Sequence, residues 1–252
     1  LFTDFTLLYD GAYPGYHGCE IRYHNSQHVL DVTLAMARLL EGHARAVDDN
    51  ACLDDTMVMA GIAAALFHDS GYIRRLDDTR HSNGAAYTRI HVRRSAQFLA
   101  QYLPRVQLDS LVGVCTRIVH FTGYELEPSA IAVSNESERL LGSLLGTADL
   151  IAQMADIDYV RKCREYLYEE FVIGGMAGEH GDYTHTGTIY RSPEQLLSMT
   201  PSFIRNAIEV RLEQQFDGVH RYAAEHFDGR HLYMDAIQEN CRCLEAMLAA
   251  QD

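Results

Sequence analysis

The chain has 252 residues, 47% of them hydrophobic, and a formal net charge of -14 at pH 7. That composition supports a sizeable core in one large domain. The acidic balance argues against a nucleic-acid polymer as partner, and no stretch approaches the roughly 18 apolar residues of a membrane span.

Helical periodicity dominates the chain. Residues 26–41 carry Val29, Val32, Leu34, Ala35, Met36, Leu39 and Leu40, and Gly42 reads as the C′ stop of that helix. Asp54 or Asp55 reads as the cap of a second helix, which runs through the apolar stretch 57–67 to His68, with Gly71 following. A third helix is predicted over 85–103, ended by Pro104, and a fourth over 108–120, ended near Gly123. A fifth starts near Asn135 and carries Leu140, Leu141, Leu144, Leu145, Ala148 and Leu150. A sixth, over 157–172, is rich in tyrosine and charge and reads equally as core or as the interface of a homodimer.

Residues 173–191 break the pattern with five glycines and with His180 and His185, the signature of a loop or small hairpin, which is a candidate substrate lid. Ser192-Pro-Glu-Gln195 reads as an N-cap followed by Pro at N1. Thr200-Pro201 repeats that signal, so two last helices are predicted over about 202–226 and 231–249. The fold class is therefore an all-α bundle in one domain, 1–252, with its core at about 20–172 and the C-terminal helices packed onto it. The six cysteines form no C-x-x-C pair and read as reduced thiols of a cytoplasmic protein. All basic residues except Lys162 are arginines, which reads as a compositional bias.

The chemistry concentrates in a few residues. His68-Asp69 ends an apolar run, where an ionisable pair is expensive to bury unless it is paired or binds a metal. Upstream, Tyr23-His-Asn-Ser-Gln-His28 holds two histidines at helical i, i+4 spacing, and Asp31 stands ready to orient one of them. Downstream, Asp149 is an acid at the edge of another apolar stretch. Imidazole and carboxylate on separate helices are the usual donors of a divalent metal site in a bundle.

In order and context, His28, His68, Asp69 and Asp149 resemble the HD-domain metal-dependent phosphohydrolase superfamily. The segment Tyr23-His-Asn-Ser-Gln-His-Val-Leu-Asp31-Val is similar to the YHNxxHAxDV motif of cyclic-nucleotide phosphodiesterases. The resemblance covers about residues 20–172. It implies an HD-type bundle in which His28 is a metal ligand and His24 the general acid. It further implies that His91 and His120 hold a second ion, bridged to the first by Asp69. The chain departs from the phosphodiesterase pattern just after the His-Asp pair, where it reads Ser70-Gly-Tyr-Ile73.

These implications define an expected function: hydrolysis of a phosphate ester or phosphodiester of a small metabolite or nucleotide. One or two divalent ions (Fe, Mn, Co, Ni, Zn or Mg) supply a hydroxide for attack on phosphorus, with His24 and Asp69 catalytic. Arg74, Arg75 and Arg94 are expected to hold a second phosphate or a carboxylate of the substrate. Two alternatives share the ligand set: a di-iron HD-fold oxygenase, and a non-catalytic HD module that senses a ligand.

Overall fold

The computed structural model describes residues 1–48, 51–178 and 190–250. Among them the fold is all-α; the two extended contacts, Tyr16 with Arg75 and Ala177 with Tyr190, are isolated bridges and build no strand. The α-helices in chain order are α1 (Phe2–Tyr9), α2 (Ser26–Ala46), α3 (Asp55–Phe67), α4 (His91–Tyr102), α5 (Val112–Ile118), α6 (Glu136–Met154), α7 (Tyr159–Lys162), α8 (Tyr168–Ile173), α9 (Pro193–Asn206), α10 (Tyr222–His226) and α11 (Leu232–Ala249).

Helix α3 explains the architecture. Residues Ala60 to Phe67 are buried all round except Ile62, so this helix carries a continuous apolar run instead of an amphipathic stripe. Its small residues let α2, α5 and α6 close around it. A β-carbon at Gly61 would press on Met36 of α2 and Leu141 of α6. Val29, Val32, Met36 and Leu39 of α2 and Leu141, Leu144, Leu145, Ala148 and Ile151 of α6 supply the facing surfaces. One cluster of buried apolar residues runs from Phe5 of α1 to Leu244 of α11, so the C-terminal helices share the core.

Several expected boundaries move, each for a local reason. Helix α2 passes Gly42 and ends at Ala46, because Gly42 is a packing residue: a side chain there would overlap the Tyr222 carbonyl of α10. The helix expected over 85–103 divides into a 3-10 turn, Gly84–Tyr87, and α4, which begins at His91. The fourth narrows to α5 between 3-10 turns Asp109–Leu111 and Val119–Thr122. The sixth contains a π-helical turn, Cys163–Leu167, between α7 and α8. Thr200-Pro201 starts no new helix. The Ser192 cap has already nucleated α9, and Leu196, Leu197, Thr200, Pro201 and Ile204 bury one continuous face through the proline. The π-helical segment Ala207–Gln215 continues directly from α9. Of the loop expected at 173–191, His180, His185, Gly181 and Gly187 lie outside the described residues.

Candidate metal centre and cavity

The ends of α2, α3 and α4 and the interior of α6 bring their polar side chains together beside a cavity. Asn25 caps α2, its side chain accepting from the His28 backbone N–H at 3.1 Å. This places His28 in the first turn, buried. His24 therefore precedes the helix, so its nearness to His28 does not come from i, i+4 spacing. The two rings nevertheless approach edge to face, with centroids 5.5 Å apart.

His68 closes α3, and its Nδ1–H donates to the Ala65 carbonyl at 2.8 Å. His91 opens α4 and does the same to Thr88 at 2.7 Å. Both bonds fix the tautomer, leaving each Nε2 with a lone pair turned away from its own backbone. The His68 Nε2 lies 3.2 Å from Asp69 Oδ2, and the His28 Nε2 lies 3.4 Å from the same oxygen. Asp149, inside α6, brings its Oδ1 to 3.5 Å from His28 Nε2 and 3.8 Å from His68 Nε2. The His91 Nε2 stands 3.7 Å from the other Asp69 oxygen, Oδ1.

These atoms converge without bonding to one another. His28 Nε2, His68 Nε2 and Asp69 Oδ2 are all buried and lack a hydrogen-bond partner. The three residues can each offer one ligand atom within 4.8 Å of the others. Orphaned buried polar atoms are costly, and here imidazole nitrogens face carboxylate oxygens. The arrangement calls for a positive charge at its centre, and an N/O donor set of this kind fits a divalent transition metal. The same demand appears in the titration of the residues. Burial opposes charge on His28, but Asp149 and Asp69 outweigh it and raise its pKa to about 10. Asp69, despite its burial, is held well below the usual carboxylate range by His68, His24 and His28.

His24 stands beside this cluster, its ring centroid 6.3 Å from that of His91. Its Nδ1 is 2.6 Å from Glu170 Oε2, and the Tyr23 backbone N–H donates to Glu170 Oε1, also at 2.6 Å. Tyr72 lies parallel to the His24 ring at 4.7 Å and to the His91 ring at 4.4 Å, holding both in place. Gln153, one turn beyond Asp149, donates to Asp149 Oδ1 at 3.5 Å and accepts from the Tyr23 hydroxyl at 3.2 Å. Neither Glu170 nor Gln153 was singled out by the sequence. Gln153 follows Asp149 by four residues, a usable signal; Glu170 comes from a helix whose phase is reset by the π turn.

Other expected residues stand elsewhere. His120 lies half-buried on the turn Val119–Thr122 and is not among the residues that line the cavity or pair with Asp69, although the adjoining Thr122 and Gly123 do line it. Asp31 accepts from Gln27 at 2.9 Å and pairs with no histidine among the described residues. Arg74 forms a two-bonded pair with Glu20, at 2.7 Å for each, and also holds the Asp78 and His81 carbonyls. Arg75 pairs with Asp77 at the surface. Arg94 donates to the Gly71 and Ile73 carbonyls and lies over the Tyr87 ring. Arg94 braces the turn after the His-Asp pair, and none of the three arginines is among the residues that line the cavity.

The cavity holds about 430 Å³, with His24, Asp69, His91 and Asp149 at one end. No single helix among the described residues is long and apolar enough to cross a membrane. Comparison of the chain with protein-family models, with curated proteins and with solved structures gave no match.

Proposed function

We propose that the chain is a metal-dependent phosphohydrolase of HD type, acting on a phosphate ester or phosphodiester of a small metabolite or nucleotide. The observation that carries this reading is the convergence of His28 Nε2, His68 Nε2 and Asp69 Oδ2, three orphaned donor atoms beside Asp149. A divalent ion bound there would supply Lewis acidity toward a phosphoryl oxygen and activate water for attack. His28, His68, Asp69 and Asp149 would hold it, and His91, beside the second Asp69 oxygen, is placed to hold another.

The remaining work falls to the protein's own groups. Glu170 fixes the His24 ring by accepting from Nδ1, which leaves Nε2 to hold the proton for the departing oxygen. Tyr72 keeps that ring from rotating. Gln153 steadies Asp149. This oriented proton donor favours hydrolysis over oxygenation, because an alkoxide leaving group requires one.

The test is an assay of manganese-loaded protein against bis-p-nitrophenyl phosphate, with elemental analysis of the same sample. Metal-dependent release of p-nitrophenol supports the proposal. Two irons per chain, an oxygen-sensitive spectrum and no ester cleavage would replace it with the di-iron oxygenase.

A further inference from the structure

Arg211 is a buried cation that the proposed chemistry does not use. It is 6% exposed and belongs to the π-helical segment Ala207–Gln215 that continues α9. Its bonded partners among the described residues are neutral. Nη2 donates to the Phe121 carbonyl at 3.1 Å and to the Gly123 carbonyl at 2.6 Å, and Nη1 donates to Gln215 Oε1 at 3.3 Å. Nε is buried and finds no partner. The guanidinium lies over two rings, its carbon 4.5 Å from the centroid of Tyr124 and 4.9 Å from that of Phe216. Burying a guanidinium on carbonyls and ring faces, with no carboxylate bonded to it, is an expensive way to make a contact that only holds a scaffold.

The stretch it grips is the rim of the cavity. Thr122, Gly123, Tyr124 and Glu125 line it, and Tyr124 is 62% exposed, so its ring meets both the cavity and solvent. Gln215, which accepts from Arg211, donates to Glu127 at 2.8 Å, a second tie from the same segment to the same stretch. The clamp is itself anchored. Phe216 is fully buried and packs against Phe121, with centroids 6.2 Å apart. A β-carbon at Gly146 of α6 would come within 2.5 Å of the Phe216 ring and 2.6 Å of the Phe121 carbonyl. Gly146 stands one turn before Asp149, so the rim is set against the helix that carries a carboxylate of the metal centre.

We infer that Arg211 is a positioning residue of the cavity: it clamps residues 121–124 and presents the Tyr124 ring at the opening, where that ring contacts the bound substrate. This rests on the phosphohydrolase reading in taking the cavity as the substrate site. Arginine suits the role and lysine does not, because a planar guanidinium lies flat on a ring while its edge bonds carbonyls. Tyr124 contributes affinity, and Arg211, which is not among the lining residues, acts through it.

The experiment has two arms on manganese-loaded protein. In the first, Arg211→Met and Tyr124→Ala should each raise KM for bis-p-nitrophenyl phosphate at least about threefold, the loss of one aromatic contact, with kcat and metal content retained. Arg211→Lys should behave like Arg211→Met, and it replaces that variant if Arg211→Met does not fold. In the second, Tyr124→Trp gives the protein its one tryptophan, since the natural chain has none. Adding Arg211→Met or Arg211→Lys to that chain should shift the ligand-free emission to the red, as the ring loses its clamp. An unchanged KM in Tyr124→Ala, a fall in kcat without a rise in KM in the Arg211 variants, or an emission indifferent to them overturns the inference. No turnover by the wild type sinks the hydrolase reading; the red shift, read without ligand, still decides whether Arg211 holds the rim.

Discussion

Glu170 Oε2 lies 2.6 Å from His24 Nδ1, joining residues 146 positions apart in the chain. The carboxylate is buried and also accepts from the Tyr23 N–H, so both its oxygens are committed to the segment that carries the proton donor. Glu170→Gln should leave metal content unchanged. It should slow cleavage of alkyl phosphodiesters by about tenfold or more while affecting p-nitrophenyl esters less, because a good leaving group needs little protonation. His24→Ala should show the same split, larger. Equal slowing of alkyl and p-nitrophenyl esters in either variant would remove His24 from the role of acid.

Asp69 faces His28 and His68 through one oxygen and His91 through the other. Asp69→Ala should therefore abolish both metal binding and turnover, with the helical circular dichroism retained. Wild-type activity in this variant would sink the site assignment as a whole.

Gly71 lets α4 approach the turn after the His-Asp pair. A β-carbon there would overlap the His91 carbonyl and lie 2.8 Å from the Ser95 backbone nitrogen. The Gly71 N–H also donates to Ser95 Oγ at 2.9 Å. Gly71→Ala should lower stability by about 1–3 kcal/mol, the usual cost of overpacking a rigid contact. It should also weaken metal binding by displacing His91. Urea denaturation and metal titration check the two effects separately; unchanged values in both would mean that α4 shifts freely.

Glu138 tests the scaffold away from the site. Its carboxylate accepts two bonds from Arg117 and one from the Ser134 N–H, and Asn135 caps its own N–H. The Arg117 bonds, ahead of the opposing effect of burial, hold its pKa below the ordinary glutamate value of 4.5. A depressed folded pKa contributes stability that is fully present above the unfolded value and is lost as pH falls through the folded one. The wild-type advantage over Glu138→Gln in urea midpoint should thus be constant above about pH 5 and shrink below 4.5. An advantage independent of pH would mean that the ion pair adds nothing beyond the packing.

The legible part of this molecule was the part written in local pattern. The unbroken apolar run before His68 identifies a helix buried on every side, and an ionisable pair at its end marks the centre. The helix from residue 26 was legible as well, but Asn25 as its cap, which sets His24 just outside the helix, was not read from the sequence. The surroundings of the arginines were illegible for a different reason. Arg74 and Arg94 find backbone carbonyls of the folded chain, at His81 and Gly71, which no sequence spacing discloses. His120 stands on a 3-10 turn where an α-helix was expected and is not among the residues that line the cavity. Glu170 depends on the π turn Cys163–Leu167, which rotates α8 out of the phase of α7.

The central claim is that three orphaned atoms, His28 Nε2, His68 Nε2 and Asp69 Oδ2, exist to hold a metal ion. Elemental analysis of the protein purified without added metal, then after equilibration with manganese and desalting, tests it directly. At least one transition-metal ion per chain in the wild type, and none in Asp69→Ala, is the predicted result. A wild-type chain that retains no metal after equilibration, or an Asp69→Ala chain that retains as much, would contradict it.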